Sequence, residues 1–298
     1  MQMMSSRELH ELIRDEHAAC QFFQSKGILS TTWLCPKQCG TEYVRLKCSS
    51  DDDSEWIFKC SKCKRHRSLF AGTWMHGMRL SCLQVLDMLF SWIDTHSRRT
   101  LAREGRIRSF HTITDWSRFL RGICVESVEE SSAEQIGGEG TIVEIDETLI
   151  TRRKYNRGRA LDQVWVFGAV ERGTGKCFFQ IVADRTERTL LEIIRERIKT
   201  GTTIISDMHR AYYNLSQYGY NHLTVNHSQN FVDPLTGAHT QTIESIWGAL
   251  KQFLRRIGRN LGPHIEEYMA EFLYRRCYSD RLFEQFLEDV ARYFPPRE

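Results

Sequence analysis

Apolar positions fall at helical spacing over much of the first 125 residues, and strand-like alternation sets in after residue 140. Residues 5–25 place Leu9, Leu12, Ile13, Cys20 and Phe23 loosely on one face, which predicts a helix. The run 80-LSCLQVLDMLFSWIDT-95 predicts an apolar helix, and two shorter helices are expected near 98–105 and 111–122. Residues 31–70 are rich in Cys, Gly, Trp and charge, with strand-like pieces such as 55-EWIFKC-60. The stretch 126-ESVEESSAEQIGGEG-140 is acidic, Ser/Gly-rich and poor in apolar groups, so it reads as a linker. Beyond it, 141-TIVEIDETLI-150, 163-QVWVFGAV-170 and 177-CFFQIVA-183 alternate and are β-branched, and 173-GTGK-176 joins the last two as a hairpin turn. A helix at 187–199, a buried strand 202-TTIIS-206, a helix at 208–217, a strand 222-HLTVN-226 and helices at 240–257 and 264–293 complete the order βββαβαβα. A three-stranded antiparallel meander followed by strand–helix alternation predicts an α/β fold, a mixed sheet with helices on its faces.

Length and charge narrow the class. The 298 residues are enough for two or three domains and a sizeable core. The net charge of +3 is mild, but basic residues cluster. Residues 59–67 and 151–160 each carry five Lys or Arg and no acid, and residues 97–121 carry seven Arg against two acids. Such patches on a near-neutral chain point to a polyanion partner, although solvated charged faces look the same one by one. No run of 18 apolar residues predicts a membrane span, and the first residues lack a signal-peptide core, so an intracellular protein is expected. Ten Cys in a reducing compartment then call for an explanation other than disulfides.

Four of them form two close pairs, Cys35-Pro-Lys-Gln-Cys39 and Cys60-Ser-Lys-Cys63, separated by 20 residues. Two such knuckles match a four-Cys zinc ribbon with one structural Zn²⁺, and Cys48 or His66 can stand in for a ligand. Lys37, Lys59, Lys62 and Lys64 flank these thiols with positive charge. In 98-RRTLAREGRIRSFHTITDWSRFLR-121 a short helix precedes Gly105, and a second helix carries Thr112, Trp116 and Arg121. That is the rhythm of a helix-turn-helix, and a plain helical hairpin is the competing reading.

Three acids stand out by chain position. Asp146 lies on the first strand of the meander, Asp207 directly follows a buried strand, and Glu244 opens a helix with 36 residues between it and Asp207. Carboxylates at strand ends of an open sheet can converge on two divalent ions, and oxygen-only ligation suits Mg²⁺ or Mn²⁺. Each acid also has an ordinary reading. Asp207 can cap the next segment, Glu244 can suit the helix dipole, and Asp146 competes with Glu144 on the same strand face and Glu147 on the other. In 243–257 the apolar positions 243, 246, 247, 250, 253, 254 and 257 share one face, while Glu244, Gly248, Lys251 and Arg255 form a separate stripe.

The words VEIDE at 143–147, WVFGAVERGTGKCF at 165–178, IISDMHRAYYNL at 204–215 and HLTVNHSQNFVDPLTGAHTQTIESIW at 222–247 resemble the Merlin superfamily of DDE transposases. That superfamily is related to a group of bacterial insertion-sequence transposases. The resemblance covers roughly residues 30–280. It implies an RNase H-like catalytic domain, cut-and-paste transposition, and the acid triad Asp146, Asp207 and Glu244 holding two Mg²⁺ or Mn²⁺. The three-residue first knuckle departs slightly from the commoner two-residue one.

The expected organisation is an N-terminal helix (1–30), a zinc ribbon (31–75), a helix-turn-helix region (78–125), a linker (126–140) and the catalytic domain (141–298). Expected partners are double-stranded DNA, as terminal inverted repeats and target, and a second copy of the chain in a dimer or larger assembly. Arg152, Arg153, Lys154, His227, His239, Lys251 and Arg255 are candidate DNA contacts. His227 and His239 are also candidate proton carriers, with a structural hydrogen-bonding role as the alternative for each. A eukaryotic source implies the nucleus and a bacterial one the cytoplasm. The rival functions are a domesticated DNA-binding descendant and a nuclease of the same fold.

Overall fold

The computed structural model describes residues 11, 13–37, 39, 45–48, 56–94, 97–150, 163–226, 232–234, 236–257 and 264–297. Chain contacts divide it into two units, Met1–Glu126 with Tyr278–Glu298, and Ser127–Cys277. Among the described residues, no helix is long and apolar enough to cross a membrane.

In the first unit, α1 spans Glu16–Ser25, with the Asp15 carboxylate accepting from the Ala18 N–H at its start. Strands β1 (Arg45–Cys48), β2 (Trp56–Lys59) and β3 (His66–Ser68) make an antiparallel sheet in that order. Helix α2 (Cys82–Ile93) opens with a reciprocal capping box between Ser81 and Gln84. Helix α3 (Arg98–Glu104) ends at Gly105, and α4 (Phe110–Ser132) follows. Leu101, Ile107, Ile113, Leu120 and Ile123 are buried. Helix α8 (Leu282–Tyr293) returns to this unit and packs on α2.

The second unit is built on a five-stranded sheet. Its strands are β4 (Ile142–Leu149), β5 (Trp165–Glu171), β6 (Cys177–Val182), β7 (Thr203–Asp207) and β8 (Asn221–Val225). Their spatial order is β6-β5-β4-β7-β8. The first three pair antiparallel; β7 runs parallel to β4, and β8 parallel to β7. That meander, extended by two parallel strands, is the RNase H-like arrangement expected from the sequence. Period-2 alternation gives the sheet two apolar faces. Val143, Ile145, Phe167, Ala169 and Ile204 pack with Leu190 and Ile194 of α5 (Glu187–Arg197). Val166 and Val170 pack on the opposite face with Ile243, Ile246, Trp247 and Leu250 of α6 (Gln241–Ile257), and with Met269 and Phe272 of α7 (Ile265–Cys277).

Three local expectations are corrected. The first half of the expected linker is helical, because α4 runs to Ser132 with Cys124 and Ser127 buried on its inner side. The expected helix at 208–217 is instead two 3₁₀ turns, Arg210–Tyr212 and Leu215–Tyr218. The Asp207 carboxylate accepts from the His209 N–H, turning the chain sharply, and Gly219 closes the segment at φ +85°. The single helix expected over 264–293 is two, α7 and α8, each with its own core.

Candidate active site and zinc centre

Cys35, Cys39, Cys60 and Cys63 come together as the spacing predicts, with all four sulfurs within 4.8 Å of one another. Cys35 Sγ lies 3.8 Å from Cys39 Sγ and 3.4 Å from Cys63 Sγ. The second knuckle is tight: the Lys64 N–H donates to the Cys60 carbonyl at 3.1 Å, and Lys64 takes a left-handed φ of 63°. The chemistry of this donor set fits Zn²⁺. Hydrogen bonds from the Cys63 and Lys62 backbone pull Cys60 down to about 6, while the Cys63 thiol, burial and the other thiols push Cys39 up to about 12. Four thiols crowd one point without a neutralising charge, which is the situation a dication relieves. His66 is exposed on β3 and outside this group. A second cluster, Glu16, Cys20 and Cys82, is satisfied internally. The Glu16 oxygens accept from the Cys82 and Leu83 N–H groups at 2.6 and 2.9 Å and so cap α2.

On α4, Arg121 is buried, and Trp116 is half-buried and packs edge-on against Trp74 at 5.5 Å. His111, Thr114, Asp115, Arg118 and Phe119 form the exposed side of that helix.

Asp146, in the middle of β4, and Asp207, at the end of β7, sit where the two strands part. Their pairing is registered through Glu144↔Ile205; continued by two residues, it brings Asp146 level with Asp207. This is the switch point of the sheet, with connections leaving β4 and β7 in opposite directions. Asp146 faces α6, and the Trp247 Nε1–H donates to its Oδ2 at 3.1 Å. Burial pushes the Asp146 carboxyl up to about 7. Glu147 and Asp207 charges add to that rise, while the Glu147 backbone and the Trp247 indole oppose it. Glu147 points to the other face, where burial also raises it; its Oε1 lies 3.7 Å from His209 Nδ1. The Tyr212 hydroxyl and His209 lie beside Glu147 and oppose that rise. Asp146, with its carboxyl raised by burial and by the Asp207 charge, offers with Asp207 an oxygen-only donor set of the kind that suits Mg²⁺ or Mn²⁺.

Glu244 is exposed in the first turn of α6, one turn before Trp247 and on the same side of the helix. Among the described residues, its carboxylate does not form with Asp146 and Asp207 a group having all ligand atoms within 4.8 Å. Asp146 and Asp207 are neighbours through the strands, and Glu244 lies one turn before Trp247, the residue that bonds Asp146. Gly248 and Arg255 are exposed and Lys251 half-buried, so the outer stripe of α6 is as expected. His239 is held by Arg172, whose Nη2 donates to its Nδ1 at 2.9 Å and to its carbonyl at 2.7 Å. Arginine only donates, so the imidazole proton is on Nε2. Arg152, Arg153, Lys154 and His227 lie outside the described residues.

The sequence reading missed Trp247, Gly168 and Arg172 and left Glu144 as a competitor of Asp146. Gly168 pairs with Asp146 across β4 and β5, and a Cβ there would collide with Trp247 Cη2 and Cζ2. A glycine inside the strand pattern WVFGAV was the one available signal of that close approach.

The Asp146 shift predicts a pH effect. Its folded value of about 7 exceeds the ordinary 3.8, so the folded state holds the proton more tightly. Stability from this group therefore falls as pH rises from about 4 to about 7 and is level above. In calorimetry of protein without divalent ions, Asp146→Asn is expected to stabilise about 1 kcal/mol more at pH 8 than at pH 6. Equal gains at both pH values would show that Asp146 is not buried in this way.

The sheet order β6-β5-β4-β7-β8, with Asp146 and Asp207 at the parting of β4 and β7, is the arrangement expected of an RNase H-like fold. The model of the ISXO2-like transposase domain matches residues 135–276 of this chain. The chain is 28% identical over 100 residues to an uncharacterized transposase-like protein of Haemophilus influenzae, covering 34% of this chain and 80% of that one. It is 22% identical over 322 residues to male abnormal protein mab-31 of Caenorhabditis elegans, covering 96% of this chain and 70% of that one. Among solved structures, the HTLV-2 integrase catalytic core domain in complex with magnesium is similar at a TM-score of 0.31. That match has 15% identity and covers 47% of this chain and 86% of that one.

Proposed function

We propose that this chain is a DNA transposase that binds the terminal inverted repeats of its element, cleaves the phosphodiester there and joins the freed 3′-hydroxyl to target DNA. Asp146, Asp207 and Glu244 are the residues that would hold two Mg²⁺ or Mn²⁺. Bound there, the ions supply charge neutralisation at the scissile phosphate and activation of the attacking oxygen. The chain's own groups do the rest. Asp146 and Asp207 present oxygens from a rigid sheet. Glu244 closes the site from α6, and Lys251 and Arg255 on the same helix attract the strand that leaves it. Arg152, Arg153 and Lys154 follow β4 and are assigned to phosphate contacts, as is His227. His239 offers its Nε2–H toward the strand. The zinc ribbon (31–75) and helix pair (78–125) are assigned to end recognition, and the segment 141–277 to chemistry. Synapsis of two ends calls for a dimer or larger assembly. The nucleus is the site of action in a eukaryote, and the cytoplasm in a bacterium.

One observation carries this reading: Asp146 and Asp207 meet at the parting of two parallel strands, beneath a helix bonded to Asp146 through Trp247, inside a transposase-family segment. The test uses labelled duplexes from the inverted repeats flanking the coding sequence, with Mg²⁺ and a target plasmid. A nicked end with a 3′-hydroxyl, followed by a joined product, is the expected result. Binding without any cut assigns a domesticated DNA-binding role instead, and cutting without joining assigns a nuclease.

A further inference from the structure

We propose that Glu144 is a positioning residue, whose buried carboxylate fastens the N-terminus of α6 to β4 and sets where Glu244 stands relative to Asp146. The inference rests on the transposase reading of the site and deepens it. Glu144 is fully buried (0% exposed) two residues before Asp146 on the same strand face. Its Oε2 accepts from the N–H groups of Thr242 and Ile243 at 2.8 and 3.0 Å. Its Oε1 accepts from the Thr242 hydroxyl at 2.8 Å and from Arg172 Nε at 2.6 Å. Arg172 is itself tied to the sheet, since its N–H donates to the Ile142 carbonyl at 2.9 Å. Its Nη2 holds the His239 carbonyl and ring on the approach to α6.

The connections are short on both sides. Thr242 and Ile243 immediately precede Glu244, and one residue separates Glu144 from Asp146. A carboxylate that only neutralised Arg172 would not need the helix. This one takes two of the N–H groups that the first turn of α6 leaves without internal partners, where a negative charge is also favoured by the helix dipole. Four donors converge on two oxygens, so an amide would turn an NH₂ group toward donors and break the arrangement. A buried acid that served packing alone would leave the affinity of the site for divalent ions unchanged when altered conservatively. A positioning acid would not.

The test measures Mn²⁺ binding to the zinc-loaded full chain by the paramagnetic resonance of free Mn²⁺, with and without element-end DNA. Circular dichroism and DNA binding report folding. Glu144→Gln is expected to weaken Mn²⁺ binding tenfold or more, toward the value for Glu244→Ala, with the fold and DNA binding kept. Its cleavage rate should recover partly at high Mn²⁺. Thr242→Val removes a single donor and should shift the Mn²⁺ midpoint two- to fivefold; it carries the test if Glu144→Gln fails to fold. Mn²⁺ midpoints within twofold of the parent in the folded variants overturn the positioning role while leaving the transposase reading intact. Absence of Mn²⁺ binding by the parent chain overturns both.

Discussion

Asp207→Asn is expected to abolish strand cleavage, by at least about a thousandfold, with DNA binding unchanged. The asparagine keeps the local fold, because its side-chain oxygen can still accept from the His209 N–H, as Asp207 Oδ1 does at 2.9 Å. What it removes is one charge at the end of β7 beside Asp146. A factor of a thousand corresponds to about 4 kcal/mol of transition-state stabilisation, a size in keeping with losing a ligand of a metal-assisted reaction. The substitution should also bring the Asp146 carboxyl down from about 7, since the Asp207 charge is one of the influences raising it. Denaturing gels of labelled element ends read the cleavage, and a mobility shift reads the binding. Cleavage within tenfold of the parent protein in Mg²⁺ would remove Asp207 from the site.

Gly168→Ala is expected to destabilise the protein by about 3 kcal/mol, a larger effect than its single methyl suggests. The new carbon would meet the ring of Trp247, which is only 4% exposed. That ring is also stacked on Phe179 at a centroid distance of 4.7 Å, so it has no open side to move into. Trp247 is one turn after Glu244 and bonds Asp146, so lifting the ring lifts the first turns of α6 from the acids. Urea denaturation of the full chain reads the stability, and cleavage at a temperature where the variant is folded reads the site. A loss below about 1 kcal/mol would show that α6 can ride over the sheet at little cost. The backbone at Gly168 needs no left-handed φ, so the requirement for glycine here is one of space alone.

Both effects depend on contacts that chain order does not contain. Alternation located β4 and placed Glu144 and Asp146 on one face, and there it stopped, because two residues of equal parity and charge are alike to a period of two. They part only when α6 arrives. Its N–H groups land on Glu144, its indole lands on Asp146, and the first acid becomes an anchor while the second stays mid-strand, where β7 parts from β4. Composition misled at 126–132 for a related reason. Glu and Ser are tolerated on an exposed helix side, and the buried side of α4 that carries the helix through is made of Cys124 and Ser127, which do not look like a core. At 264–293 one apolar period served two helices, since a period reports that a face is buried and not which core buries it.

By itself the sequence determined the order of strands and helices, the paired cysteines and the succession of the three acids, because these rest on local spacing and residue chemistry. The tertiary structure decided which acid on β4 points to α6, why residue 168 is glycine and what seats the helix that bears Glu244. Those outcomes come from contacts between residues about 70 to 100 positions apart, where packing and unpaired helix N–H groups select one arrangement from several that the local pattern permits.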